Sequence, residues 1–326
     1  MKSEILNMLR ATGGYLSGQQ LCDKMGVSRT AVWKAVNDLK EEGYIIEAVR
    51  NRGYRLVEDA DVITQAELKS ILKTRWIGNR LEYFDETDST NTRARKLAEE
   101  GAPHGTLVIA DSQSSGKGRR GRLWTSPRGV GIWMSMLLRP DIAPVHASML
   151  TLIAGMAVVR GVKESTGLDA MIKWPNDAVL AGRKICGILT EMSTEDETIR
   201  YVITGIGINV NIDEFPEEIR DTATSLKLEL GKSIKRSPVI RAVAEAFETY
   251  YDIFLETCDM SRLKEEYNRE LANTGREVLV LDPRGQYEGT ALGIDDEGSL
   301  LVRKRDGTVA PVISGEVSVR GIYGYI

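Results

Sequence analysis

The chain has 326 residues, enough for two or three domains and at least one sizeable core. It carries 43 Lys and Arg against 47 Asp and Glu, a formal net charge of −4, so affinity for a polyanion has to come from a local patch. Three scattered cysteines, Cys22, Cys186 and Cys258, argue against a disulfide framework and for a reducing cytoplasm, and His104 and His146 without a Cys/His cluster argue against a zinc site.

The chain opens on an amphipathic charged pattern and not on a secretory leader. In SEILNMLR the apolar Ile5, Met8 and Leu9 fall on one helical face. SGQQLCDKMG has Ser17 and Gln20 at capping-box spacing and closes on Gly26. SRTAVWKAVNDLKEEG starts on Ser28 as N-cap and stops at Gly43, with Val32, Val36 and Leu39 as its buried stripe. Thr30, Lys34 and Asn37 lie opposite that stripe, with Arg29 and Trp33 toward its flank. The short turn between the second and third helices is helix-turn-helix grammar. YIIEAV-RNRG-YRLV then reads as a hairpin crowded by Arg50, Arg52 and Arg55. Residues 1–62 are therefore expected to form a winged helix-turn-helix. Ser28, Arg29, Thr30, Trp33, Lys34 and Asn37 would face a DNA major groove, with Arg50 and Arg52 on phosphates. A winged helix used for protein contacts is the alternative. EDADVITQAELKSILKT reads as a linker leading into a short helix.

Residues 65–272 read as the large domain. Strand LEYFDET is followed by helix STNTRARKLAEEG, strand GTLVIADSQ, a Gly/Arg-rich loop and strand GIWMSMLLRP. A long helix over 147–166 comes next; its apolar run SMLTLIAGMAVV is too short to span a bilayer and reads as buried. Strands around MIKWPNDAVL, KICGILTEMS and RYVITGIGINVN follow, joined by turns as short as AGRK, which requires antiparallel pairing. A mixed, largely antiparallel sheet with packed helices results, of the class II synthetase type, in an α+β protein. The polar stretch IDEFPEEIRDTATSLKLELGKSIKRS reads as a mobile lid, before a helix around PVIRAVAEAFETYYDIFLE. Residues 273–326 alternate short apolar strands with DPRG, DDEG and RDG turns, a small SH3-like β-barrel.

SSGKGRRGRLW, residues 114–124, matches G-x-G-x-x-G through Gly116, Gly118 and Gly121. Its context rejects a dinucleotide fingerprint, which must open a helix inside a βαβ unit, whereas here a further loop and a strand follow. GKG also lacks the Ser or Thr of a P-loop. One acid faces five cations between Asp111 and Arg128. Glycines let backbone N–H groups approach an anion, Arg side chains fork onto phosphate, and Trp124 offers a stacking face. The combination suits a flexible loop closing over a nucleotide monophosphate.

DSTN at 88–91, SQSSGKGRRGRLW at 112–124, KWPND at 173–177, GRKICGILTE at 182–191 and GIGINVN at 205–211 occur in this order. The ordered set resembles the biotin protein ligase family, and the winged helix in front resembles its bifunctional members, which also repress biotin genes. The resemblance covers the whole chain. It implies two chemical steps: the biotin carboxylate attacks the α-phosphorus of ATP (bound with Mg²⁺) to give biotinyl-5′-AMP, and a lysine of a biotin carboxyl carrier protein then attacks the anhydride. Neither step needs an enzyme nucleophile; both need positioning and charge neutralisation.

Carried onto this chain, the resemblance makes Lys184 the principal catalytic cation, against a reading as a surface hairpin lysine. It puts Arg119, Arg120 and Arg122, with the backbone from Gly116 through Lys117 to Gly118, around phosphate and carboxylate. Trp124 would lie near adenine, or be a core tryptophan. Ser89, Thr90, Asn91 and Gln113 would hold biotin, Ser89 and Thr90 being equally good as helix N-caps. Gly205 and Gly207 would leave room for the biotin rings or mark tight strand packing. Asn176 and Asn209 would bind the nucleotide or its Mg²⁺, and Asp177 would orient or deprotonate the incoming lysine, or cap a turn after Pro175. Lys117 departs from the family's usual arginine; a backbone contact survives that change and a bidentate one does not. Operator DNA and a ligand-promoted homodimer are the further implied partners. A ligand-sensing repressor without ligase activity, and a lipoate-type ligase, are the competing readings.

Overall fold

The computed structural model describes every residue except 59–60, 283–284, 315–317 and 322–324. Two compact units result: Met1–Lys73 with Lys235–Arg241, and Thr74–Ile234 with Ala242–Ile326.

The first unit holds α1 (Lys2–Thr12), α2 (Gly18–Met25), α3 (Arg29–Glu41), β1 (Ile45–Val49), β2 (Gly53–Glu58) and α4 (Gln65–Ile71). Its helix ends follow from the sequence. Ser17 and Gln20 form the reciprocal capping box, Gly26 ends α2 in the left-handed region, and the Ser28 hydroxyl accepts from the Ala31 N–H. Leu16 and Tyr54 exchange backbone hydrogen bonds at 2.8 and 2.9 Å, so the segment before α2 joins the β1–β2 hairpin. Gly53 permits this approach: its φ is 104° and a Cβ there would meet the Leu16 carbonyl oxygen at 2.1 Å. Val32, Val36 and Leu39 are buried with Ile5, Leu6 and Leu9. The helix expected after the linker is α4, which packs on α1; linker residues 59–60 lie outside the described residues. Its Glu67 is buried and accepts from Arg10 (2.6 Å), Tyr44 (2.8 Å) and Ser237 (2.8 Å).

The second unit is built on a seven-stranded sheet: β3 (Leu81–Phe84), β4 (Thr106–Ala110), β5 (Gly131–Leu138), β6 (Met171–Lys173), β7 (Asp177–Leu180), β8 (Arg183–Glu195) and β9 (Thr198–Asn209). The order is β3-β4-β5-β9-β8-β7-β6; only β3 and β4 run parallel. Helices α5 (Thr90–Glu99) and α6 (Met149–Thr166) pack on the sheet. Strand periodicity sorts the faces. In β9, Ile206 and Ile208 are buried at even positions, while Gly205 and Gly207 at odd positions share a face with Ser135 of β5, which touches the start of α5. α6 and the 3₁₀ turn before it form a 23-residue apolar segment, Pro144–Thr166. That is longer than the sequence run indicated, and long enough by length and composition to cross a membrane. Most of it is nevertheless buried in this unit, in line with the core-helix reading.

After β9 the polar stretch is not structureless. It contains a 3₁₀ turn at Glu217–Ile219 and α7 (Leu226–Leu230), capped by the Ser225 hydroxyl and stopped by a left-handed Gly231. α8 (Arg236–Thr257) and α9 (Lys264–Glu270) follow. The last strands are β10 (Glu277–Asp282), β11 (Gly285–Ile294), β12 (Leu300–Lys304), β13 (Val309–Val312) and β14 (Ser318–Gly321). They form an antiparallel sheet in the order β13-β12-β11-β10-β14 around Val278, Val280, Ala291, Leu300 and Val302. Of the expected DPRG turn, Pro283 and Arg284 lie outside the described residues. Buried Trp174 donates its backbone N–H to Asn273 Oδ1 (2.9 Å) and its indole N–H to the Gly298 carbonyl (3.1 Å), which anchors the segment between β6 and β7.

Candidate functional site

A cleft of about 480 Å³ opens on the α5 side of the sheet, over the glycines of β8 and β9. Of the expected residues, Ser89, Thr90, Asn91, Gln113, Lys117, Gly118, Arg119, Trp124, Asn176, Lys184, Gly205 and Gly207 line it. Met134, Gly187, Ile188, Leu189 and Ile206 complete the lining and were not singled out in the sequence. Their signal was present: Gly187 and Leu189 pair with Gly207 and Gly205 across β8 and β9, so period two puts them on the same face.

One end of the cleft is lined by neutral polar side chains, most of them tied into hydrogen bonds. Gln113 Oε1 accepts from the Thr90 N–H (2.8 Å) and hydroxyl (3.1 Å), and Gln113 Nε2 donates to Ser126 (2.7 Å). Asn91 Nδ2 donates to Glu191 (2.7 Å) and to the Leu189 carbonyl (3.3 Å), and Asn91 Oδ1 lies 2.7 Å from the Ser135 hydroxyl. Ser89 occupies the N-cap position of α5, yet its buried hydroxyl makes no cap bond. The two readings of Gly205 and Gly207 merge here: a Cβ at Gly205 would sit 2.1 Å from Asn91 Oδ1, and one at Gly207 2.8 Å from Trp124 Nε1. The glycines are required by the site's own side chains.

The loop 114–126 folds as a small hairpin. Trp124 donates its N–H to the Gly116 carbonyl (2.8 Å), Gly118 donates to Arg122 (2.7 Å), and Lys117 pairs with Leu123. The turn runs through Arg120 in the left-handed region (φ 56°). Gly116 is buried under the Trp124 carbonyl, where a Cβ would meet oxygen at 2.2 Å, and does not reach the cleft. Arg120 and Arg122 are exposed at the tip and do not line it. The Trp124 ring lies against Gly187 and Gly207, and its indole N–H is buried with no acceptor among the described residues.

The charged end centres on Lys184, whose ammonium is 5.1 Å from the Trp124 ring centroid and 2.5 Å from Asp177 Oδ1. Its backbone is clamped by the stretch after β9: the Lys184 N–H donates to Thr222 (2.8 Å) and its carbonyl accepts from Thr224 (2.9 Å). Arg119 donates to Asn176 Oδ1 at 3.0 Å, and burial together with neighbouring Arg120 pulls its pKa below the usual arginine value. Asp177 does not line the cleft. It stands behind Lys184 with its second oxygen accepting from Tyr325 (2.7 Å) and 3.9 Å from Lys173. Burial alone would raise its pKa; Lys184, Lys173 and the two hydrogen bonds outweigh that and hold it below the usual carboxylate range. Burial pulls the Lys173 ammonium down to about 8. Asn209 is buried with its amide donating to the Thr224 carbonyl (3.2 Å) and is not brought to the cleft. Lys173 is the first letter of KWPND, a motif from which only Asn176 and Asp177 were chosen; Tyr325 had no local signal.

In the first unit, Ser28, Arg29, Thr30, Trp33 and Lys34 are exposed and Asn37 half-buried. Trp33 is 59% exposed, large for an indole without a ligand. Arg29 is bound to Gln19 of α2 (2.7 Å), so it is oriented at the helix start. Arg50 and Arg52 are exposed at the wing tip, Arg52 over the Tyr15 ring (5.6 Å to the centroid). Arg55 is held further back by Glu47 (2.8 Å).

The fold and the cleft together define a winged helix-turn-helix protein carrying a small-molecule cleft with a cationic and a neutral polar end. Residues 83–209 match the biotin/lipoate A/B protein ligase family, residues 2–55 a helix-turn-helix domain, and residues 274–320 the biotin protein ligase C-terminal domain. The chain is 41% identical over 322 residues to the bifunctional ligase/repressor BirA of Bacillus subtilis (strain 168), covering 98% of each chain. It is 28% identical to that of Escherichia coli (strain K12), over 96% of this chain and 95% of the other. Among solved structures, the biotin protein ligase from Aquifex aeolicus in complex with biotin and ATP superposes with a TM-score of 0.66 at 33% identity, covering 74% of this chain and 99% of that one. The chain belongs to the biotin protein ligase family, in the form that carries an N-terminal helix-turn-helix domain.

Proposed function

We propose that the protein joins biotin to a lysine of a biotin carboxyl carrier protein through biotinyl-5′-AMP, and represses biotin genes when that intermediate is bound. The observation that carries the ligase reading is a single cleft with Lys184 and Arg119 at one end and Ser89, Thr90, Asn91 and Gln113 at the other. A carboxylate tail and an α-phosphate suit the first end; a neutral ureido ring with donors and acceptors suits the second.

In the first step a biotin carboxylate oxygen bonds to the α-phosphorus of ATP and the bond to pyrophosphate breaks. Mg²⁺ enters with ATP as part of the substrate. Lys184 holds carboxylate and phosphate together and offsets the charge that grows on the phosphoryl oxygens. Arg119 and the backbone around Gly118 hold the phosphate, with Arg120 and Arg122 exposed on the same hairpin beside them. The Trp124 indole N–H, which has no acceptor among the described residues, offers a donor to the ligand. In the second step the carrier lysine amine attacks the anhydride carbonyl and AMP leaves. Because Asp177 stands behind Lys184, its part is to orient that lysine.

Incubation with biotin, MgATP and a biotin carboxyl carrier protein is expected to give biotinylated carrier, and Lys184→Ala to abolish it. A wild-type protein that forms no biotinyl carrier, or that prefers lipoate in competition, overturns the reading. For repression, the exposed start of α3 and the wing arginines would contact operator DNA, with a ligand-promoted homodimer matching a palindromic site. A gel shift on the promoter of the protein's own biotin genes should appear with biotin plus ATP and sharpen with sedimentation as a dimer; no shift in either lane would refute it. A cytoplasmic location fits the three unpaired cysteines.

A further inference from the structure

Three charged side chains meet behind the cleft wall. Asp177 pairs with Lys184 through one oxygen and lies 3.9 Å from Lys173 through the other. Lys173 and Asp177 are both less than 10% exposed, and among the described residues no other acid is paired with either ammonium. Two ammonium groups around one carboxylate leave an excess positive charge in a poorly solvated space. Tyr325, from the segment after β14, answers both needs. Its ring face lies 3.6 Å from Lys173 Nζ, and its hydroxyl donates to Asp177 Oδ2 at 2.7 Å. The ring quadrupole offsets the lysine charge, and the phenol stays protonated because burial and Asp177 raise its pKa.

We propose that Tyr325 is a positioning residue for adenylate formation: it fixes the Asp177 carboxylate so that Asp177 directs Lys184 into the cleft, while its ring shields Lys173. Without the phenol hydroxyl, Asp177 Oδ2 is free to turn toward Lys173, and the carboxylate loosens its hold on Lys184. Lys184 lines the cleft and Asp177 does not, so the effect reaches the substrates only through Lys184. The inference deepens the ligase reading and rests on it for its kinetic arm.

Pyrophosphate release is measured with the full chain, biotin and MgATP. Tyr325→Phe keeps the ring and loses the hydroxyl; it should lower kcat about ten-fold with the biotin KM within about two-fold, the size of one lost hydrogen bond to a charged group felt in the transition state. In an Asp177→Asn background the same substitution should have no further effect. A second arm needs no activity. Amine-reactive acetylation followed by mass spectrometry should leave Lys173 as protected in Tyr325→Phe as in wild type, and expose it in Tyr325→Leu. Wild-type kinetics in Tyr325→Phe, additivity with Asp177→Asn, or unchanged Lys173 labelling in Tyr325→Leu would each overturn the proposal. Absence of pyrophosphate release in the wild type would instead sink the ligase reading, with the labelling arm still deciding where Tyr325 sits.

Discussion

Gly205→Ala tests whether the floor of the cleft is glycine for the reason the geometry gives. The new Cβ would lie 2.1 Å from Asn91 Oδ1, 2.9 Å from its Cγ and 3.1 Å from its Nδ2, so the whole amide has to leave. That amide holds Ser135 and Glu191 at 2.7 Å and the Leu189 carbonyl at 3.3 Å, in a side chain that is 4% exposed. Two neutral hydrogen bonds at roughly 1 kcal/mol each and one to a carboxylate at roughly 2 kcal/mol set an upper bound of about 4 kcal/mol, which relaxation of α5 reduces. Urea unfolding should therefore show a loss of about 2–4 kcal/mol, and calorimetry a weaker biotin affinity, because Ser89 and Thr90 sit on the same helical turn as Asn91. The decisive comparison is the double-mutant cycle. Asn91→Ala removes the obstacle, so Gly205→Ala should cost almost nothing in that background. If the glycine substitution costs the same with and without Asn91, the steric account of the glycine floor is wrong.

Two titrations give further checks. Lys173 has its folded pKa pulled down to about 8, whereas an unfolded lysine titrates near 10.4. Between those values the unfolded chain holds the proton and the native protein does not, so stability should rise with pH across that window, by on the order of 3 kcal/mol. Lys173→Met should flatten that rise in denaturant melts recorded from pH 7 to 10.5; an unchanged slope would place the titrating group elsewhere. Glu270 is shifted the opposite way: burial, then Glu266, raises its pKa to about 7, and one of its oxygens is buried without a partner among the described residues. The native state then binds the proton more tightly than the unfolded chain, and stability falls as pH rises from about 4.3 to about 7. Glu270→Gln should raise the melting temperature at pH 8 and leave it nearly unchanged at pH 5; a gain of equal size at both would argue for packing and not charge.

What the sequence disclosed was what short-range rules control. Ser17 with Gln20, Ser28 and Gly26 mark helix ends because capping acts within four residues. The alternation of Gly and Ile in GIGIN set the faces of β9 because strand side chains repeat every second residue. The residues it hid are those whose meaning depends on a distant partner. Tyr325 lies 148 positions from Asp177, and no periodicity links them. α7 was read as loop because a five-residue helix stopped by Gly231 is too short to show a helical pattern, yet Thr222 and Thr224 beside it grip the Lys184 backbone. Asn209 looked like a ligand residue by motif, while its amide is spent on holding that same stretch at Thr224.

The placement of Asp177 bears on how the cleft keeps its charge. A carboxylate beside Lys184 in the cleft would compete with biotin's own carboxylate and repel the phosphates of ATP. Here the carboxylate lies behind the lysine, reached from β7, with its outer oxygen covered by Tyr325. Its lone pairs are spent on Lys184 and Tyr325 and are not offered to the cleft. Arg119 is steered in a matching way by the neutral Asn176 amide oxygen at 3.0 Å. Both cations are thus aimed by partners that leave the cleft side positive. Lys184→Arg should for that reason be a poor substitute: a planar fork that pairs with Asp177 along one edge presents its remaining donors in different directions from an ammonium. Adenylate formation should fall by more than about ten-fold in that variant, although charge is conserved, and near wild-type rates would show that charge alone is what the site requires.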